Sequence, residues 1–286
     1  MTGEIRPCLI DGTYELFRAF YGAPSKISTS GIEVGATLAL GRSLYKLARD
    51  DTFTHFVVAF DTVIESFRNR LFEGYKTGDG IDPSLYAQFP LAERLAQALG
   101  FAVLSMIEYE ADDGLAAASE LLKTRSTAQR ITIASPDKDL MQLVDERVVT
   151  WDRLRQKTYD NAAVLAKLGV APESIPDYLA LVGDSADGIP GVPRWGASSA
   201  ARVLSEYKHL EHIPRQASLW NVQVRGAEGL AQQLANHEQQ VMLYRELATL
   251  RSDIDLGKSI DDFEYRGINE VELSLFEEEL GVTFAR

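Results

Sequence analysis

Short apolar runs alternate with segments of helical period along the first half of the chain. Cys8-Leu-Ile-Asp11-Gly12 reads as a buried strand closed by an aspartate and a turn glycine. The segment after it places Leu16, Phe17 and Phe20 on one side and Arg18 on another, which predicts an amphipathic helix. A loop of small and polar residues, Gly22 to Gly31, leads to a second helix from about Val34 to Arg49. His55-Phe-Val-Val-Ala-Phe60-Asp61 then repeats the first pattern, an apolar strand closed by an aspartate. A helix over Pro83 to Leu99 and a strand over Phe101 to Ser105 precede Glu110-Ala-Asp112-Asp113 and a further helical run. Arg130 to Ser135 is another strand, closed by Pro136-Asp137-Lys138-Asp139, with Asp137 expected to cap a helix over Lys138 to Leu143. Val148 to Trp151 and a short segment near Thr158 finish the sheet. Apolar strands alternating with helices predict an α/β fold, a mostly parallel sheet flanked by helices on both faces.

From about Asn161 the pattern becomes helical and richer in turn residues. One helix is expected from Glu173 to Val182, another over Ala197 to Tyr207, a third over His237 to Leu250, and a tail over Leu273 to Leu280. Between the first two lies a glycine-punctuated turn, Gly183 to Gly196. Helix, glycine turn, helix is a form in which backbone amides at a helix start grip a phosphate, and the same form with no ligand is commoner. The boundary is weak, near residues 160–170, and divides the chain into 1–165 and 166–286. No internal repeat or low-complexity tract interrupts it.

Composition narrows the class. A hydrophobic fraction of 45% with 25% charged residues is that of a globular protein with a proper core. The single cysteine, Cys8, rules out an internal disulfide and favours a reducing compartment. With no signal peptide and no apolar run near the ~18 residues of a membrane span, a cytoplasmic protein with no membrane partner is expected. The net charge of −13 argues at first against a nucleic-acid partner.

The distribution of acid reverses that argument. Asp11, Asp61, the cluster Glu110, Asp112 and Asp113, and the pair Asp137 and Asp139 stand at four successive strand ends. A helix dipole favours acid in a first turn, so capping accounts for part of the cluster. It does not account for all four ends. In parallel sheets ligands bind beyond the carboxyl ends of the strands, and crowded carboxylates repel unless a hard cation such as Mg²⁺ or Mn²⁺ lies among them. Without nine candidate acids, these seven and Asp184 and Asp187, the net charge falls to −4, so the excess is mostly the presumed metal trap. The stretch Ser66 to Gly80 interleaves Arg68, Arg70, Tyr75 and Lys76 with further aromatics, a pattern suited to a phosphate backbone and a stacked base, and equally to an amphipathic helix and its loop.

Taken together, these residues resemble the 5′-nuclease family, the 5′→3′ exonuclease module of bacterial DNA polymerase I and the flap endonucleases. Leu9-Ile-Asp-Gly12 with Arg18 looks like the first motif, and Phe60-Asp61, Phe67-Arg68 and Tyr75-Lys76 the second. Glu110 to Asp113, Asp137-Lys-Asp139 and Gly183 to Gly191 resemble the remaining acidic motifs, and all nine acidic positions are kept. The resemblance implies a PIN-like nuclease core with a helical arch over residues 66–90 and a C-terminal helix-hairpin-helix subdomain. The chain ends where a polymerase module would follow, so a nuclease standing alone, acting as a monomer, is expected. The expected activity is 5′→3′ exonuclease or 5′-flap cleavage of DNA with a flap, a nick, a free 5′ end or an RNA primer, through two divalent cations. In that scheme Asp11, Asp61, Glu110, Asp112, Asp137 and Asp139 form the core of the metal site. Asp113, Asp184 and Asp187 are outer or second-metal residues, Lys76 and Arg68 contact the scissile phosphate with Arg18 in support, and Tyr75 stacks on a base. Gly191, Arg194, Gly196 and Ser198 form the duplex-gripping turn, with a K⁺ ion as a further candidate there.

Two departures stand out. Asp79 occupies a place where the family commonly has arginine, and the hairpin turn carries Arg194 and Ser198 where the family has glycine and lysine. They leave open a family member that binds nucleic acid with little turnover, and a related metal-dependent ribonuclease is a third reading.

Overall fold

The computed structural model describes residues 4–285. In chain order the strands and helices are β1 (Pro7–Asp11), α1 (Gly12–Gly22), α2 (Gly35–Ala48), β2 (His55–Asp61), α3 (Phe67–Leu71), α4 (Pro83–Tyr86), α5 (Phe89–Ala98), β3 (Ala102–Met106), α6 (Ala111–Arg125) and β4 (Ile131–Ala134). Then come β5 (Val148–Asp152), β6 (Lys157–Tyr159), α7 (Asn161–Leu168), α8 (Ile175–Val182), α9 (Ala197–Tyr207), α10 (Ala227–Asn236), α11 (Glu238–Ala248) and α12 (Glu270–Leu280). The chain divides into two compact units. The first comprises the chain up to Ser66, Gly78–Ser135 and everything from Arg251 on; the second comprises Phe67–Thr77 and Pro136–Leu250.

In the first unit four strands lie in the order β3-β2-β1-β4 and run parallel. β1 is buried along its whole length, as its unbroken Cys8-Leu-Ile run demands. Asp11 pairs with Ala59 and Asp61 with Met106, so the closing aspartates sit at the carboxyl edge of neighbouring strands. Gly12 follows Asp11 because a Cβ there would lie 2.7 Å from the carbonyl oxygen of Ala59. α1 turns back against α2, α2 against α5, and α5 against α12, while α6 covers β1, β2 and β3. No helix among the described residues is long and apolar enough to cross a membrane.

In the second unit β5 and β6 form an antiparallel hairpin, and α8 packs on both α9 and α11. Leu179, Ala180, Val203, Leu204, Val241 and Leu247 fill that packing, with Trp195 donating its indole N–H to the Leu230 carbonyl at 3.1 Å.

Three expectations change. The helix expected over Pro83 to Leu99 is two, because Pro90 lies at the start of α5, where a residue without an N–H opens a helix rather than continuing one. The segment expected to arch carries two helices of 5 and 4 residues, with Gly74, Gly78 and Gly80 between them. The run after Asp137 is a 3₁₀ helix over Asp139–Leu143, and Asp137 closes a tight turn by accepting the Asp139 N–H at 3.0 Å instead of capping an α-helix.

A candidate metal and nuclease site

In the first unit the acids stand on the carboxyl edge of the parallel strands, held by the elements that begin there. Asp11 Oδ1 accepts the Tyr14 N–H at 2.8 Å and so caps α1. Its Oδ2 accepts the hydroxyl of Ser135, just beyond β4, at 2.9 Å. Asp61 Oδ1 accepts the Ala111 N–H at the start of α6, at 2.7 Å. Glu110, the cap residue of α6, is buried, and its Oε1 accepts the Ser66 hydroxyl at 2.8 Å. Asp113 is fully buried, with Oδ2 on the Glu110 N–H at 3.0 Å and Oδ1 on the Arg251 N–H at 2.8 Å. Both its oxygens tie backbone together. Asp112, half-buried in the first turn of α6, completes the group. Arg18 is ion-paired to Glu15 one turn before it on α1.

In the second unit Asp139, Asp184 and Asp187 each place a carboxylate oxygen within 4.8 Å of the others. Asp184 and Asp187 lie on a loop closed at its neck by two backbone hydrogen bonds of 2.8 Å between Asp184 and Ile189. Gly188, at φ 74°, lets this loop pass the Gly74 carbonyl, which a Cβ would strike. That close passage brings the Lys76 N–H to the Asp187 carbonyl at 3.0 Å and the Lys76 ammonium to Asp187 Oδ1 at 3.0 Å. Lys138 pairs with Asp184 Oδ2 at 2.7 Å. Burial lowers the pKa of Lys138, but its bond to Asp184 and the charges of Asp139 and Asp137 outweigh burial and raise it. Asp139 is buried, and its Oδ1 has no hydrogen-bond partner among the described residues. Burial, with Asp137, Asp187 and Asp184 nearby, pushes its pKa well above the usual carboxylate range. Hard oxygen donors, one of them an orphaned buried oxygen, fit a divalent cation such as Mg²⁺ or Mn²⁺.

The residues expected to contact DNA take up different positions, some buried and some exposed. Tyr75 is 3% exposed and packed in the core of the second unit, so its ring offers no face to a base. Arg68 is 1% exposed and donates to the carbonyls of Leu247 at 2.7 Å and Thr249 at 3.0 Å, at the end of α11. Its guanidinium also lies 4.7 Å from the centroid of the Phe67 ring. Its guanidinium is thus engaged with backbone carbonyls at the end of α11. Arg70 is exposed on α3. In the hairpin turn Gly191 is buried, whereas Arg194, Gly196 and Ser198 are exposed. Arg194 adopts φ 73°, the left-handed region that favours glycine, and its guanidinium lies against Gly229 on α10.

Sequence reasoning missed Ser66 and Ser135, the hydroxyls that hold Glu110 and Asp11, and the Lys138–Asp184 pair. The signal for Ser135 was present: it is the last residue before a strand-closing acidic motif, beside the strand that ends in Asp11.

Comparison with known proteins bears on the whole chain. The N-terminal resolvase-like domain of 5′-3′ exonucleases matches residues 6–169, and their C-terminal SAM-fold domain matches residues 170–271. A 5′-3′ exonuclease of Aquifex aeolicus is 29% identical over 275 residues, covering 95% of this chain and 91% of the relative. DNA polymerase I of Rhizobium leguminosarum is 35% identical over 262 residues, 88% of this chain, and the chain spans only 25% of that relative's length. In fold, the chain is similar to a variant of the bacteriophage T5 flap endonuclease solved as a pseudo-enzyme-product complex with DNA and metal ions. The TM-score is 0.68 at 20% identity, over 95% of this chain and 99% of that one. With both domains matched in order across residues 6–271, the chain belongs to the 5′-3′ exonuclease family.

Proposed function

We propose that the chain is a metal-dependent nuclease that cuts DNA phosphodiester bonds at or near a 5′ end, as an exonuclease and a flap endonuclease. The observation that carries this reading is Asp139, a buried carboxylate with an orphaned oxygen, set against Asp184 and Asp187 at metal-ligand spacing. The relatives named 5′-3′ exonuclease, and the T5 enzyme solved with DNA and metal ions, support the same substrate and cofactor class.

Two divalent cations, when bound, supply an activated water near neutral pH and a counter-charge for the attacking and leaving oxygens. Asp11, Asp61, Glu110 and Asp112 are the residues that would hold a cation within the first unit, and Asp137, Asp139, Asp184 and Asp187 those that would hold one within the second. Ser135, Ser66 and the backbone N–H of Ala111 keep Asp11, Glu110 and Asp61 turned to receive cations or their water shells. Asp113 fixes the start of α6 from beneath. Lys76 lies on Asp187 and is about one-third exposed at 32%, placed to exchange the carboxylate for a substrate phosphate. The exposed first turn of α9 at Gly196 and Ser198, with Arg194 beside it, would take the phosphates of the downstream duplex. A K⁺ ion is a further candidate at that turn.

The test is cleavage of a 5′-labelled flap, a nicked duplex and a blunt duplex in Mg²⁺ or Mn²⁺, with Asp137→Ala and chelation by EDTA as controls. Cutting that requires the metal, releases product from the 5′ side and disappears in Asp137→Ala is expected. Tight DNA binding with no cleavage under either metal would replace this reading with that of a DNA-binding relative, and preference for an RNA strand would move it to the ribonucleases.

A further inference from the structure

Lys138 is the one member of the Asp137-Lys138-Asp139 run without a role in the reading above. Its ammonium stands 2.7 Å from Asp184 Oδ2, and that of Lys76 3.0 Å from Asp187 Oδ1, so three clustered carboxylates face two resident cations. Asp184 does not need Lys138 to stay in place. Its Oδ1 accepts the Ala186 N–H at 3.0 Å, and its backbone is bridged twice to Ile189. The contribution of Lys138 at this point is therefore charge. A divalent cation seated on Asp184 is repelled by that ammonium, and the repulsion is relieved when a phosphate brings negative charge to the same place.

We propose that Lys138 is a resident counter-ion that keeps the affinity of the Asp139, Asp184 and Asp187 trio for a divalent cation low until an anionic substrate arrives. It thereby couples metal loading to the presence of a phosphodiester. This rests on the reading of the trio as a metal site, and the test separates the two. Mn²⁺ is titrated into DNA-free protein and followed by its paramagnetic resonance, for the wild type, Lys138→Met and Lys138→Arg, each also in an Asp139→Asn background. Lys138→Gln replaces Lys138→Met should the latter fail to fold.

Lys138→Met is expected to bind Mn²⁺ about tenfold more tightly than wild type, the size of a unit-charge effect screened almost as in water. Lys138→Arg is expected to match wild type, and Asp139→Asn to abolish the difference. Adding deoxyadenosine 5′-monophosphate, a phosphate that cannot be cut further, should strengthen Mn²⁺ binding more in wild type than in Lys138→Met. Equal or weaker Mn²⁺ binding in Lys138→Met, or an equal gain from the nucleotide in both proteins, overturns the role of Lys138 and leaves the metal site standing. No Asp139-dependent Mn²⁺ binding in any variant overturns both.

Discussion

The hydroxyl of Ser135 donates to Asp11 Oδ2 across 2.9 Å, joining two residues 124 positions apart in the chain. β1 and β4 are parallel neighbours, and their register pairs Ile10 with Ala134, so the next residues along, Asp11 at the end of β1 and Ser135 just past β4, meet. Asp11 is thereby held twice, by the start of its own helix and by the neighbouring strand. Ser135→Ala removes the second hold in a buried setting. The expected loss is about 2 kcal/mol of unfolding free energy, as for one net hydrogen bond to a charged group. Cation affinity is expected to fall by a smaller factor than in Asp11→Asn. Urea unfolding together with Mg²⁺ dependence of cleavage checks both, and an unchanged metal dependence would mean that the Ser135 contact does not orient the carboxylate.

Arg68 gives the sharpest contrast between sequence and structure. It sits in a segment of basic and aromatic residues of the kind that binds phosphate, yet its guanidinium is buried against the carbonyls of Leu247 and Thr249. These carbonyls lie at the C-terminus of α11, where helix carbonyls lack intrahelical partners and attract cations. Arg68→Ala is expected to cost about 3 kcal/mol, because buried acceptors are left unpaired and a large side chain is lost. Arg68→Lys should recover little, since a lysine has no planar fork to reach both carbonyls. Hydrogen exchange in α11 reads the effect directly. Normal exchange there with lost DNA binding would return Arg68 to the substrate.

What the sequence made legible follows from which signals are local. The parallel sheet was readable because buried strands such as Cys8-Leu-Ile and Phe56-Val-Val-Ala-Phe have no polar interruption, and the acids stand out where those runs end. Helix α9 was readable to its end residues because a glycine turn precedes it and its apolar positions recur at helical spacing. Helix α10 was not: it opens on Gly226 in the left-handed region with no side-chain cap, so its start carries no Ser, Thr, Asp or Asn signal. Whether Tyr75 and Arg68 face solvent or core depends on contacts with α11 and the rest of the second unit, distant in sequence, and composition cannot report that. The same holds for Lys138, whose partner Asp184 lies on a separate loop.

Asp139 predicts a conflict between stability and activity. Its carboxylate is buried near Asp184 and Asp187, and metal-free protein bears the repulsion and the cost of an orphaned buried oxygen. Asp139→Asn keeps the shape and removes the charge. Metal-free protein is expected to gain about 1 kcal/mol or more of stability, while cleavage falls by orders of magnitude. Thermal unfolding in EDTA, set beside cleavage in Mg²⁺, measures the pair. A destabilised Asp139→Asn in EDTA would show that the carboxylate is held by favourable contacts rather than strained by like charge.

Arg194 is a costly choice for its backbone. At φ 73° a non-glycine residue carries a penalty of roughly 1 kcal/mol, and a glycine is at home there. The side chain offsets part of that by lying against Gly229, where the first turn of α10 has no Cβ to obstruct it. An exposed arginine kept on a strained backbone is explained if it serves the ligand, since phosphate contacts add affinity that folding alone does not require. Arg194→Gly is therefore expected to leave the fold as stable as before or up to about 1 kcal/mol more so. It should weaken binding of duplex DNA evenly across sequences, and the slope of log affinity against log salt should fall by about one. Binding measured between low and moderate salt decides the matter. An unchanged slope with a less stable protein would make Arg194 a packing residue of α10, and the duplex would then have to be held by the first turn of α9 without it.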